Sequence, residues 1–138
     1  MGYDDGMDHY RIDATLHAVA AAWSADTDYE RTRFNAMNPA RGQCMVSSLV
    51  VQYLLGGELI RFHVTGAGFD ENHYANTLPD GTVLDATFRQ YQGAVVSMTV
   101  YPKGHAGFGS VRSRLLADAA TRTRYERLLA TVVRNLQA

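Results

Sequence analysis

An α+β domain is the architecture this chain predicts, and three observations lead there. Helical periodicity occupies both ends of the sequence, four short β-rich runs crowd its middle, and a strongly apolar helical run precedes the strands. The strand runs follow one another across turn-length gaps. They therefore pair antiparallel, with the helices segregated from them in sequence.

Each element has its own reason. Residues 8–23 form a helix, because Ile12, Leu16, Val19, Ala20 and Trp23 recur at helical spacing and the centre is alanine-rich. Trp23 is expected in the core. Residues 24–43 are polar and irregular. That is long for a loop in so small a domain, and such a segment is functional or holds an element of its own. Residues 44–55 are apolar around most of a helical circumference, which makes this the central, buried helix. Gly56 or Gly57 closes it in the left-handed conformation. Strands are expected at 58–65, 72–78, 82–87 and 94–101, rich in Val, Ile, Tyr, Phe and Thr. Residues 66–70 make a turn, and 102–109 a Gly-rich loop in which His105 can border a substrate groove. The chain ends in helix at 111–116 and 121–136. There Thr121, Arg124, Tyr125, Leu128, Leu129 and Val132 form an amphipathic piece.

Composition narrows the class of function. The 138 residues are 46% hydrophobic, enough for one packed domain with one core. Formal net charge is −1, which gives no electrostatic footprint for nucleic acid. No apolar run reaches membrane-spanning length, and the acidic, polar start Met1-Gly2-Tyr3-Asp4-Asp5-Gly6 does not read as a secretory leader. A single cysteine excludes an internal disulfide and fits a reducing compartment. A cytoplasmic protein is the expectation.

That cysteine, Cys44, is the most informative residue. Pro39 and Gly42 break the chain just before it, and the apolar helix starts at it. Free N–H groups and the helix dipole at such a position favour thiolate over thiol. His73 lies on one expected strand and Asp85 on the next. A thiol, an imidazole and a carboxylate are the parts of a cysteine acyl-transfer site. Taken singly, each residue has a plainer reading. A lone cysteine is often a small buried apolar residue, His73 a surface histidine, and Asp85 a cap for local N–H groups. It is their combination that favours chemistry.

The turn between the second and third strands decides whether they meet. Leu78-Pro79-Asp80-Gly81-Thr82 fits a type I turn with Pro79 at its first central position and Gly81 in the left-handed bulge position. Leu78 then pairs with Thr82, Ala75 with Asp85, and His73 with Thr87. His73, Ala75, Val83, Asp85 and Thr87 share one face, and small Ala75 leaves space between imidazole and carboxylate. A two-residue turn would put His73 and Asp85 on opposite faces.

These residues carry a resemblance. Gly42-Gln43-Cys44 opening a helix, Leu-Gly-Gly-Glu-Leu at 55–59, His-Tyr-Ala-Asn at 73–76 and Pro-Asp-Gly-Thr-Val-Leu-Asp-Ala-Thr at 79–87 resemble the small bacterial YunG-like proteins. The resemblance covers about residues 38–91. More broadly the chain is similar to the papain-like and transglutaminase-like superfamily. There Cys heads a helix, His lies on a strand and Asp or Asn on its neighbour. The resemblance implies an α+β cysteine-hydrolase fold with the Cys-headed central helix packed on an antiparallel sheet of about four strands. It implies Cys44 as nucleophile, His73 as base and Asp85 as orienter. Papain-like enzymes carry an oxyanion-binding Gln several residues before the Cys. Here Gln43 is adjacent and Asn38 holds the more distant position. The oxyanion is expected to meet the Cys44 backbone N–H and one side chain, Gln43 or Asn38; Gln43 is weighed equally as a hydrogen-bonded support for the preceding loop, and Asn38 is taken as a substrate-binding residue.

The expected chemistry is thiolate attack on an acyl carbon, with a peptide, protein or small amide as substrate and no cofactor. Neither nucleic acid nor membrane is an expected partner. Three other readings compete. A catalytically inactive member of the fold would bind a peptide or small ligand in the same pocket. A metal site from Cys44, His63, His73 and Asp85 lacks the tight spacing of strong motifs. An interaction module would use Arg112, Arg114, Arg122, Arg124 and Arg134, which otherwise form a solvated helix face.

Overall fold

The computed structural model describes residues 5–30, 34–102 and 111–138. Apart from Pro102, the expected loop with His105 lies outside the described residues. The elements are α1 (Asp5–Ala22), α2 (Cys44–Leu55), β1 (Glu58–Gly66), β2 (Phe69–Thr77), β3 (Val83–Leu84), a 3-10 turn (Phe88–Tyr91), β4 (Ser97–Val100), α3 (Val111–Leu116) and α4 (Ala119–Gln137). The fold is α+β, with one antiparallel sheet in the order β3-β2-β1-β4. Among the described residues no helix is long and apolar enough to cross a membrane.

Helix α2 is central. It packs on β2 on one side and on α4 and α1 on the other, and Val46 to Val51 are all buried. Gly56 ends it with a φ of 80° while its N–H still reaches the Gln52 carbonyl at 2.9 Å. Gly57 follows at a φ of 82°, where a Cβ would stand 2.0 Å from the Thr77 carbonyl oxygen. Only glycine allows β1 to leave the helix that close to β2.

The buried stripe of α1 differs from the expected one. Thr15, Ala18, Val19 and Ala22 are buried, whereas Ile12, Leu16 and Ala20 are half-buried. The reason is α4, which lies against the small residues; Asn135 Nδ2 donates to the Ala18 carbonyl at 3.1 Å. Along α4 the buried residues are Thr121, Tyr125, Leu128 and Val132. The helix starts earlier than expected, because the Asp118 carboxylate accepts from Thr121 N–H at 2.9 Å and from its hydroxyl at 2.8 Å.

Two strands are shorter than expected. The third covers Val83–Leu84 rather than 82–87, and the fourth covers Ser97–Val100 rather than 94–101. Asp85 Oδ1 accepts the Thr87 N–H at 3.3 Å and turns the chain out of the ladder into the 3-10 turn. Gln92 and Gly93 then adopt φ of 51° and 82°, so extended structure resumes late.

Candidate functional site

The sulfur side of the site is built by a segment with little regular structure. Successive backbone hydrogen bonds, Asn38 N–H to Asn35, Arg41 N–H to Asn38 and Gln43 N–H to Ala40, wind the chain through tight turns into α2. Gly42 takes a φ of 81° and its carbonyl accepts the Tyr29 N–H at 2.9 Å. Further back, the fully buried Asp28 carboxylate accepts the N–H groups of Glu30 and Phe34. Residues 24–30 and 34–43 are thus wired together, as a long functional loop needs to be. Cys44 stands half-exposed at the first turn of α2. It opens on a cavity of about 170 Å³ shared with Tyr29, Glu71, Asn72, Tyr74 and Gln90.

The other side is the β2–β3 hairpin, and its register is the expected one. Leu78 N–H donates to the Thr82 carbonyl at 2.8 Å, Gly81 takes a φ of 91°, Thr77 pairs with Val83 and Asn76 with Leu84. Ladder pairing stops there. One step further the same register sets Ala75 beside Asp85, and the His73 ring reaches past it. His73 Nε2 donates to Asp85 Oδ2 at 2.7 Å. The imidazole is completely buried, with Tyr91 edge-on at 5.5 Å and Phe62 at 6.3 Å between ring centroids. Burial pulls this ring toward neutrality. The Asp85 hydrogen bond, a hydrogen bond with the Cys44 side chain, and the charges of both partners outweigh it and lift its pKa to about 9. His73 is therefore the point at which the sulfur and carboxylate sides of the site meet.

A polar network that the sequence did not announce braces Glu71 and Gln90 in the cavity wall. Arg41 forks onto both oxygens of Glu71 at 2.6 Å, lies over the Phe69 ring, and donates to Gln90 Oε1 at 2.9 Å. Its hydrogen bond to Glu71, against the cost of burial, holds the guanidinium above its ordinary pKa. Tyr91 donates to Glu71 Oε2 at 3.1 Å. Burial, then the charges of Glu71 and Cys44, push its phenol far above its ordinary value, so it stays a donor. Gln90 Nε2 donates to Thr87 Oγ1 at 3.1 Å and lies 3.4 Å from His73 Nδ1. Arg41 and Glu71 are 30 residues apart, and Arg41 and Gln90 are 49 apart. No local pattern marks such pairs.

The two expected oxyanion candidates are placed elsewhere. Gln43 is fully buried; its Oε1 accepts from the Thr27 hydroxyl at 2.7 Å and its Nε2 donates to the Ser24 carbonyl at 3.0 Å. Both ends of its amide support the preceding loop, the plainer of its two roles. Asn38 Nδ2 donates to the Gln90 carbonyl at 2.9 Å and so ties the sulfur side to the 3-10 turn. Asn76, on the opposite side of β2 from His73, donates to the Ser48 carbonyl of α2 at 3.0 Å. His63 bonds Asp70 and Tyr101 rather than joining Cys44. Among the described residues no three His, Cys, Asp or Glu side chains group as a metal ion would require. Arg112 is no solvated-face residue: it donates to the Leu49 carbonyl, Gln52 and the Tyr125 hydroxyl, clamping α2 to α4. Trp23 is buried as expected and donates to Ser47 Oγ at 2.9 Å.

Comparison with known proteins gives one family. No curated protein and no solved structure matches the chain significantly. The family model described as YunG protein matches residues 11–137, nearly the whole chain and both halves of the site, and the chain belongs to that family.

Proposed function

We propose that this protein is a cysteine-dependent acyl-transfer enzyme acting on an amide, with Cys44 as nucleophile, His73 as acid and base, and Asp85 as the group that orients His73. The observation that carries the reading is a completely buried imidazole bonded to a carboxylate, its charged form favoured in part by the Cys44 side chain, which lines the neighbouring cavity. Structural histidines rarely combine these features, and perturbed titration in a cleft marks functional sites. Cysteine on a helix, histidine on a strand and aspartate beyond the adjoining turn also support a papain-like or transglutaminase-like ancestry.

The steps follow from the geometry. Cys44, as a thiolate paired with the His73 imidazolium, attacks the acyl carbon, and the carbonyl π electrons move onto oxygen. The oxyanion collapses and expels nitrogen, which takes the His73 proton, leaving a thioester on Cys44. His73, now neutral, takes a proton from water or an amine as it attacks the thioester. The thiolate leaves and the pair is restored. Asp85 holds the proton on Nε2, which leaves Nδ1 as the nitrogen that exchanges a proton with Cys44 and the substrate.

Iodoacetamide alkylation across pH tests this. Wild type should react rapidly at neutral pH, and His73→Ala should react at least roughly tenfold more slowly there. A wild-type rate that rises only through about pH 8.5, the free-thiol value, or an unchanged rate in His73→Ala, rejects the reading.

A further inference from the structure

We propose that Gln90 is a catalytic residue, its side-chain N–H binding the acyl oxygen that becomes negative when Cys44 attacks. The assignment rests on the acyl-transfer reading above and supplies the donor that Gln43 and Asn38 do not.

Gln90 is 3% exposed and held by hydrogen bonds at each of its polar atoms. Its backbone N–H donates to the Thr87 carbonyl and its own carbonyl accepts from Asn38 Nδ2, both at 2.9 Å. Arg41 donates to Oε1, which fixes the amide with oxygen toward the guanidinium and nitrogen toward His73. The guanidinium also polarises the amide and strengthens its N–H donors. One of those two N–H groups goes to Thr87 Oγ1. The other points at His73 Nδ1, 3.4 Å away.

That second N–H has an acceptor only while Nδ1 carries a lone pair. Asp85 holds a proton on Nε2, so the neutral ring accepts from Gln90 through Nδ1. Once the ring is an imidazolium, Nδ1 is itself a donor, and a buried N–H is left facing a donor. The reactive thiolate–imidazolium state therefore leaves one oriented amide N–H without a partner, in the wall of the cavity that Cys44 lines. An acyl oxygen entering that cavity supplies the missing acceptor, and the bond strengthens as charge builds on it. Gln43 does not line that cavity, because its amide is turned into the Ser24 and Thr27 turn, donating to the one and accepting from the other. The Asn38 nitrogen instead holds Gln90 itself.

Two probes on the full chain separate this role from a structural one. Iodoacetamide alkylates sulfur at a saturated carbon and forms no oxyanion. p-Nitrophenyl acetate acylates it through a tetrahedral oxyanion, and the released nitrophenolate reports the rate. In Gln90→Leu, the ratio of acylation to alkylation rate should fall roughly 100- to 1000-fold below wild type. Gln90→Glu is isosteric and keeps an oxygen for Arg41, so it should fold even where leucine does not. It should show the same fall, because it has no N–H to offer. A ratio within about threefold of wild type in Gln90→Glu overturns the assignment, whatever happens to the separate rates. If Cys44→Ala releases nitrophenolate as fast as wild type, the acyl-transfer reading itself fails. If it does not and only the ratio is unmoved, the reading survives and the role of Gln90 is rejected.

Discussion

The two halves of the site are organised by opposite means. The hairpin bearing His73 and Asp85 is local: a turn of three residues sets the register, and the hydrogen-bonded pair is 12 residues apart. The segment leading to Cys44 is held by bonds that skip 16, 19 and 52 residues, from Thr27, Gln43 and Asn38. A local half tolerates change around it and depends on its turn. A half wired through distant buried polar groups fails wherever one partner is lost.

The largest effect is expected where the hairpin is moored to the helix. Gly57→Ala puts a methyl group against the Thr77 carbonyl at a positive φ, and thermal or urea unfolding should show a loss of at least about 3 kcal/mol. A loss under about 1 kcal/mol would mean that the mooring yields and that the two halves are less tightly joined than the close approach implies.

The pH dependence of stability comes next. His73 has a folded-state pKa of about 9, above its unfolded value near 6.5. The stabilisation is complete below about pH 6.5 and is lost as pH rises toward 9, a decline of up to about 3 kcal/mol in urea titrations. Because the Cys44 side chain supplies part of the lift, Cys44→Ala should make the decline shallower, and Asp85→Asn should do the same. A slope unchanged in both variants would detach His73 from its two partners.

On the wired half, Gln43→Leu removes one hydrogen bond from the Thr27 hydroxyl and one from the Ser24 carbonyl, leaving only the bonds those two residues make to each other. It should cost about 1–3 kcal/mol in unfolding. Gly81→Ala is the mildest change. Open space surrounds its Cβ position, so only the φ of 91° opposes it, at about 1 kcal/mol. Reversal of that order would reverse the contrast between the halves.

How much was legible follows the same division. The helix from Cys44 to Leu55 could be read to the residue, because Gly42 and Gly56 bracket a run that is apolar around most of its circumference. The contact between His73 and Asp85 could be read because Pro79-Asp80-Gly81 specifies a turn and a turn specifies register. The third strand was read too long, because the Asp85 carboxylate bends its own backbone, a competition that strand propensity does not record. The stripe on α1 was misplaced because bulk alone does not say where a neighbouring helix will come closest. Small Ala18 and Ala22 settled that.

The amino-acid order alone determined the helical runs, the turn at Pro79-Asp80-Gly81 and the register of the hairpin, since each depends on neighbours within a few positions. Tertiary structure decided that Gln43 props a loop, that Arg41 and Tyr91 brace Glu71 in the cavity wall, and that Gln90 rather than its upstream rivals faces His73. Those outcomes depend on which buried polar groups find one another across dozens of residues. Hydrogen bonding is short-ranged in space and indifferent to separation along the chain.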